Sequence, residues 1–212
     1  MMHLLDFLFP PRVDERALRG VSDDEFLVKI APRLVPETRP GTVALLSFGD
    51  ASVRSAIHEA KYHGSERAFR LLGLVLAEYL RDCDDIRTTR LNLVVLVPVP
   101  LGKGRLKERG FNQAEEVAKR AVRELGIKIE TGLLIRTRET ASQVSLPRHK
   151  REKNMRGAFL VSPKLEERRR INPTHTYILI DDVLTTGATL QACIDALKDA
   201  GARHIIPLAL AH

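Results

Sequence analysis

The run Tyr177-Ile178-Leu179-Ile180-Asp181-Asp182-Val183-Leu184-Thr185-Thr186-Gly187-Ala188-Thr189-Leu190 holds the residues whose types and order could do chemistry. Two adjacent acids follow an apolar stretch, a loop of threonine and glycine comes next, and an apolar period then resumes. An ionised carboxylate only accepts hydrogen bonds, so a pair of them suits a partner with two donors, such as the vicinal hydroxyls of a sugar. A loop opening onto a helix start presents unpaired backbone N–H groups and the positive end of the helix dipole, which favours a phosphate. In the loop Thr185–Thr189, Gly187 permits close backbone approach beside Ala188, while the hydroxyls of Thr185, Thr186 and Thr189 add donors to the same anion. The ligand implied is a phosphorylated ribose. Threonine and aspartate also cap helices, yet two acids directly after a strand exceed what a cap needs. A Walker loop is excluded, since there is no Gly-x-x-x-x-Gly-Lys in this stretch.

Two basic stretches accompany this run. The stretch Pro98–Arg109, read as a loop, carries Lys103, Arg105, Lys107 and Arg109, and the guanidinium fork of arginine suits a pair of phosphate oxygens. Residues 136–156 hold seven cations, Arg136, Arg138, Arg148, Lys150, Arg151, Lys153 and Arg156, against Glu139 and Glu152. Such a stretch could follow a nucleic-acid backbone with salt-dependent affinity, Arg136, Arg138, Lys150, Lys153 and Arg156 being the candidate contacts. Single-strand binders also offer stacking platforms, and aromatics are 5% here; Phe111 and Phe159 are candidates that core packing claims first. No Ser/His/Asp or Cys/His arrangement for covalent catalysis presents itself, and His58, His63, His149 and His175 have no evident partner.

The elements that must position these residues alternate. Val43–Phe48 reads as a strand, Ser52–Lys61 and Arg67–Arg81 as helices, Leu93–Val97 as a buried strand, and Asn112–Leu125 as a helix ended by Gly126. A β segment over Ile127–Ile135 and a short one over Ala158–Val161 flank the second basic stretch. Tyr177–Val183 is a strand, Thr189–Lys198 a helix closed by Gly201, and His204–Ala209 a last strand, where Pro207 suggests a sheet edge or irregularity. Continuous apolar strands between helices predict an α/β fold with a mainly parallel central sheet flanked by helices. Its acids would emerge at the carboxyl end of a strand, where such sheets bind ligands. Proline-rich residues 1–42 read as a loosely structured lead-in with one short helix near Asp24–Ile30, and residues 43–212 as the main domain.

The acid–threonine–glycine run resembles the 5-phosphoribosyl-1-pyrophosphate (PRPP) motif of type I phosphoribosyltransferases. Val97-Pro98-Val99-Pro100-Leu101, Arg105, Arg109-Gly110-Phe111-Asn112-Gln113-Ala114, Arg136-x-Arg138-x-Thr140-x-x-Gln143-x-x-Leu146, Arg151-x-x-Asn154-x-x-x-Ala158-Phe159 and the opening Leu4-Leu5-Asp6-Phe7-Leu8-Phe9-Pro10-Pro11 resemble the competence-F (ComF) family. The resemblance implies a type I phosphoribosyltransferase fold with a small N-terminal hood. It implies that Asp181 and Asp182 contact the ribose hydroxyls, that Thr185–Thr189 hold the 5-phosphate, and that Arg105, Arg109, Arg148 and Arg151 serve the pyrophosphate. Residues 136–156 would then be the loop that closes over the site and neutralises the departing pyrophosphate. Magnesium is expected to arrive with PRPP, largely on ligand and water oxygens, without a dedicated protein cage. Many family members carry a four-cysteine zinc module after the opening segment; residues 12–42 hold no cysteine, and no zinc is expected.

Length, charge and cysteine usage bound the remainder. The 212 residues, 44% apolar and 29% charged, suit one soluble globule with at most a small appendage. No run approaches the ~20 apolar residues of a membrane span, and the apolar start lacks a cationic prefix. Cys83 and Cys193, the two cysteines, are far apart and suggest a reducing, cytoplasmic setting. A net charge of +7 points to an anionic partner. The function expected from the resemblance is a ComF-type, PRPP-binding protein of natural transformation, handling incoming single-stranded DNA with the DNA-uptake machinery. The alternative is an active phosphoribosyltransferase that moves phosphoribose to an unidentified acceptor and releases pyrophosphate.

Overall fold

The computed structural model describes residues 12–36, 38, 41–87, 89, 91–138, 155, 157–163 and 171–212. In chain order the elements are α1 (Val13–Arg19), α2 (Asp23–Leu27), β1 (Arg33–Val35), β2 (Thr42–Leu46), α3 (Ala51–Tyr62), α4 (Glu66–Asp82), α5 (Asp84–Arg87), β3 (Val94–Pro98), α6 (Lys103–Arg109) and α7 (Gln113–Leu125). They continue as β4 (Lys128–Ile129), β5 (Leu134–Arg136), β6 (Phe159–Val161), β7 (Thr176–Val183), α8 (Ala188–Asp199) and β8 (His204–Ala211).

The main sheet has the order β1-β2-β8-β7-β3-β4, and each pairing is parallel except the antiparallel β1–β2. Central strands are apolar on both faces because helices cover both. Along β7, Ile178 and Ile180 enter one core, with Leu72, Leu76 and Val117, while Tyr177 and Leu179 enter the other, with Leu190, Cys193 and Leu197. β3 divides the same way, Val94 and Leu96 against Val95 and Val97, as the two-residue period of a strand requires. The α/β architecture with a mainly parallel, helix-flanked sheet is therefore as the sequence predicts.

Four expectations are corrected. The β segment over Ile127–Ile135 is two strands in different sheets: β4 extends the main sheet beside β3, and β5 pairs antiparallel with β6 in a small second sheet over α8. Pro207 lies inside the sheet, since β8 is paired by β7 and β2; β2 joins from Leu208 onward, so the missing N–H falls where pairing on that side begins. The stretch Pro98–Arg109 contains the helix α6, capped by Gly110 in the left-handed conformation (φ 80°). The lead-in is ordered over its described part: the short helix expected near Asp24–Ile30 is α2, started by a capping box of Ser22 and Glu25, α1 is an additional helix, the two bury Phe26 and Leu18, and β1 pairs with β2.

Candidate functional site

The site begins with the pleat of β7. This strand runs through both acids to Val183, and adjacent strand residues face opposite sides of a sheet, so Asp181 and Asp182 leave the strand in opposite directions. Asp182 turns toward α3 and α7. Its Oδ2 accepts from Gln113 Nε2 at 2.7 Å and lies 3.1 Å from Lys61 Nζ, and its Oδ1 accepts from the Val183 N–H at 2.6 Å. Asp181 turns toward α8. Its Oδ1 accepts from the Asp182 N–H at 2.9 Å, and burial beside the charge of Asp182 pushes its carboxyl up to about 7. Burial likewise raises the Cys193 thiol on α8, an inert core position.

Both acids line one cleft of about 610 Å³ at the carboxyl end of the sheet, shared with Lys61, Arg105, Arg109, Arg136, Thr185 and Thr189. After Val183 the chain turns through Gly187, which is left-handed (φ 76°) and stands at the N-cap of α8 without a side-chain cap. The first-turn N–H groups of a twelve-residue helix are thus aimed at the loop. Thr186 Oγ1 accepts from the Ala188 N–H at 3.4 Å, a weak contact. Gly187, Ala188, Thr185 and Thr189 surround a hollow of about 10 Å³ beside the cleft, the size of roughly one oxygen.

The cations reach the cleft from separate elements. Arg105 and Arg109 project from α6; Arg109 donates to Gln113 Oε1 at 3.0 Å and lies over the Tyr62 ring at 5.1 Å. Arg136 ends β5 and stacks over Phe159 at 5.5 Å, which keeps that ring in the core. Phe111 likewise packs edge-on against Phe69 at 5.5 Å and covers Gly64, whose Cβ position lies 3.0 Å from it. Arg138 is exposed and lines no part of the cleft; Lys103 and Lys107 are also exposed. Arg148, Lys150, Arg151, Lys153 and Arg156 lie outside the described residues.

Sequence reasoning missed Lys61, Tyr62 and Gln113. Gln113 stands inside the quoted motif Arg109-Gly110-Phe111-Asn112-Gln113-Ala114, where Asn112 caps α7 and donates to the Val99 carbonyl at 2.9 Å, pinning the helix start against the strand end. Lys61-Tyr62 carries no comparable local signal.

Residues 108–211 match the family model described as a phosphoribosyl transferase domain. Among particular relatives, the chain is 33% identical over 128 residues to Competence protein F of Haemophilus influenzae, covering 60% of this chain and 54% of that protein. It is 34% identical over 148 residues to DNA utilization protein YhgH of Escherichia coli K12, covering 69% of this chain and 61% of that one. The ComF resemblance thus holds, and the match spans less than two thirds of either relative's length. A solved adenine phosphoribosyltransferase from Leishmania tarentolae aligns over 90% of this chain and 89% of its own, at 14% identity and a TM-score of 0.41. Among the described residues no helix is long and apolar enough to cross a membrane.

Proposed function

We propose that this chain binds PRPP at the β7–α8 corner and acts as a ComF-type protein of natural transformation, handling incoming single-stranded DNA. The observation that carries the reading is the convergence, in one cleft, of two carboxylates, an uncapped helix N-terminus behind Thr185–Thr189, and the cations Arg105, Arg109 and Arg136. Carboxylates match the ribose hydroxyls, the loop matches the 5-phosphate, and the arginines match the pyrophosphate. The cleft's donors are carboxylate oxygens with no thiolate or imidazole among its lining residues, a set suited to a hard cation such as magnesium. Magnesium would supply charge neutralisation on the pyrophosphate. Asp181, Asp182 and Glu108 are the side chains available to it. The names of the two relatives support a role in DNA uptake or use.

The cationic rim also favours a second reading, an active phosphoribosyltransferase. Departure of pyrophosphate from the anomeric carbon needs leaving-group stabilisation and an electrophilic centre kept from water, and the arginines could provide the former without a protein nucleophile. Calorimetric titration with PRPP and magnesium, with pyrophosphate assayed over a panel of bases, separates the two. Binding without release supports the first reading, release that depends on one acceptor supports the second, and no binding by the parent protein refutes both. Asp181→Asn with Asp182→Asn is expected to abolish PRPP binding while the fold persists; unchanged affinity would displace the site.

A further inference from the structure

We propose that Lys61 is a positioning residue of the diol site, a counter-cation that α3 delivers to Asp182 and that, together with Gln113, fixes the orientation of that carboxylate. The proposal rests on reading the acid pair as the ribose-binding element. Lys61 Nζ is 3.1 Å from Asp182 Oδ2, with the side chains 22% and 10% exposed, so the pair is shielded from water and is not an ordinary surface contact. Gln113 donates to the same oxygen and the Val183 N–H to the other, which fixes the plane of this carboxylate. Asp181, on the other side of the strand, accepts from the Asp182 N–H and feels Lys61 and Arg136 at longer range. Among the described residues, the charged and titratable groups facing the two acids are Lys61 and Tyr62 on α3, Arg105, Glu108 and Arg109 on α6, Arg136 on β5 and Cys193 on α8.

The helix that carries Lys61 is clamped on its other face. Residues two apart on a helix point about 200° apart, and Glu59, wholly buried, accepts from Arg12 at 2.9 and 2.6 Å. One turn earlier, Asp14 accepts from Ser55 at 2.8 Å and pairs with His58 at 2.9 Å. The helix α1 thereby sets the rotation of α3 that aims Lys61 at Asp182. The helix α1 contributes to the site through this lever, although none of its residues lines the cleft.

Lys61→Gln and Lys61→Arg are compared with the parent in two measurements. The side-chain amide NMR resonances of Gln113 in the unliganded protein, which report its donation to Asp182 Oδ2, are expected to shift in K61Q and to stay near the parent's in K61R. Calorimetry with PRPP and magnesium is expected to show affinity about tenfold weaker in K61Q; K61R stays within about threefold of the parent, and K61Q adds nothing once Asp182 is Asn. Unmoved Gln113 resonances together with parental affinity in K61Q overturn the proposal, as does a loss in K61R equal to that in K61Q. A parent that fails to bind PRPP refutes the site reading instead, and the ligand-free Gln113 resonances then still decide whether Lys61 positions Asp182.

Discussion

Asp181 and Asp50 show that acids of one type take opposite parts in stability. Asp50 caps α3 through the Ser52 and Val53 N–H groups and pairs with Lys29 at 2.8 Å, which pulls its carboxyl well below the ordinary range. Its contribution is present above the unfolded value near 4 and is lost as pH falls below it. Asp181 has the reverse sign: its folded value near 7 exceeds the ordinary one, so the folded state holds the proton more tightly and stability declines as pH rises from about 4 to about 7. Asp181→Asn removes that decline. The variant is expected to match the parent near pH 4 and to be more stable near pH 8 by on the order of 2–4 kcal/mol, readable as melting temperatures across a pH series. Parallel curves for parent and variant would show that Asp181 is not strained in the unliganded protein. An acid kept at a cost in stability is an expected mark of a ligand site.

Element packing decides how much of this could be foreseen. α4 and α7 cross so closely at Gly73 that a Cβ there would stand 2.7 Å from Arg120 Cβ and 3.4 Å from the Val117 carbonyl. Gly73→Ala gains helix propensity of about 1 kcal/mol but must separate the two helices, so a net loss of about 1–3 kcal/mol is expected in urea unfolding. Likewise Arg12→Ala leaves the buried Glu59 carboxylate uncompensated and is expected to cost about 3 kcal/mol in the same assay. Strand β7, its loop and helix α8 were legible because their signals are local: an apolar run, two acids, then Thr and Gly at a helix start. Gln113 and Lys61 were not, because their role exists only where α7 and α3 meet the strand end; Gln113 is 69 residues from Asp182 along the chain. The lead-in hid α1, and showed α2 only as a short helix near Asp24–Ile30, for a related reason. α1 and α2 are 7 and 5 residues long, too short for a period to declare itself, and hold their places through Leu18 and Phe26 in the core. Pro207 misled because local proline chemistry was weighed without knowing which strand flanked it.

Across the whole molecule the net charge of +7 is unevenly spread. Many described cations are matched within the fold: Arg67 and Arg70 by Asp23, Arg120 by Glu66 and Glu116, Lys119 by Glu115 and Glu116. The groove of about 450 Å³ between α4 and α7 is lined by Arg67, Arg70, Arg120 and Arg123, yet it offers little net attraction to a polyanion because acids stand beside them. Residues 136–156, with seven cations against two acids, carry the excess. If single-stranded DNA binds, its affinity should fall with salt, and each phosphate contact removed should reduce the log–log slope by about 0.7. Arg148→Ala with Arg151→Ala is then expected to flatten that slope by about 1.4, whereas Arg67→Ala with Arg123→Ala leaves it in place. Fluorescence anisotropy of a labelled oligonucleotide over a salt series reads both. Arg136 joins this stretch to the cleft, so PRPP and DNA draw on overlapping cations and should weaken each other by the same factor, as linkage requires. Oligonucleotide affinity measured at fixed magnesium, with and without saturating PRPP, gives that factor; equal affinities would separate the two surfaces and place the DNA contacts away from the cleft.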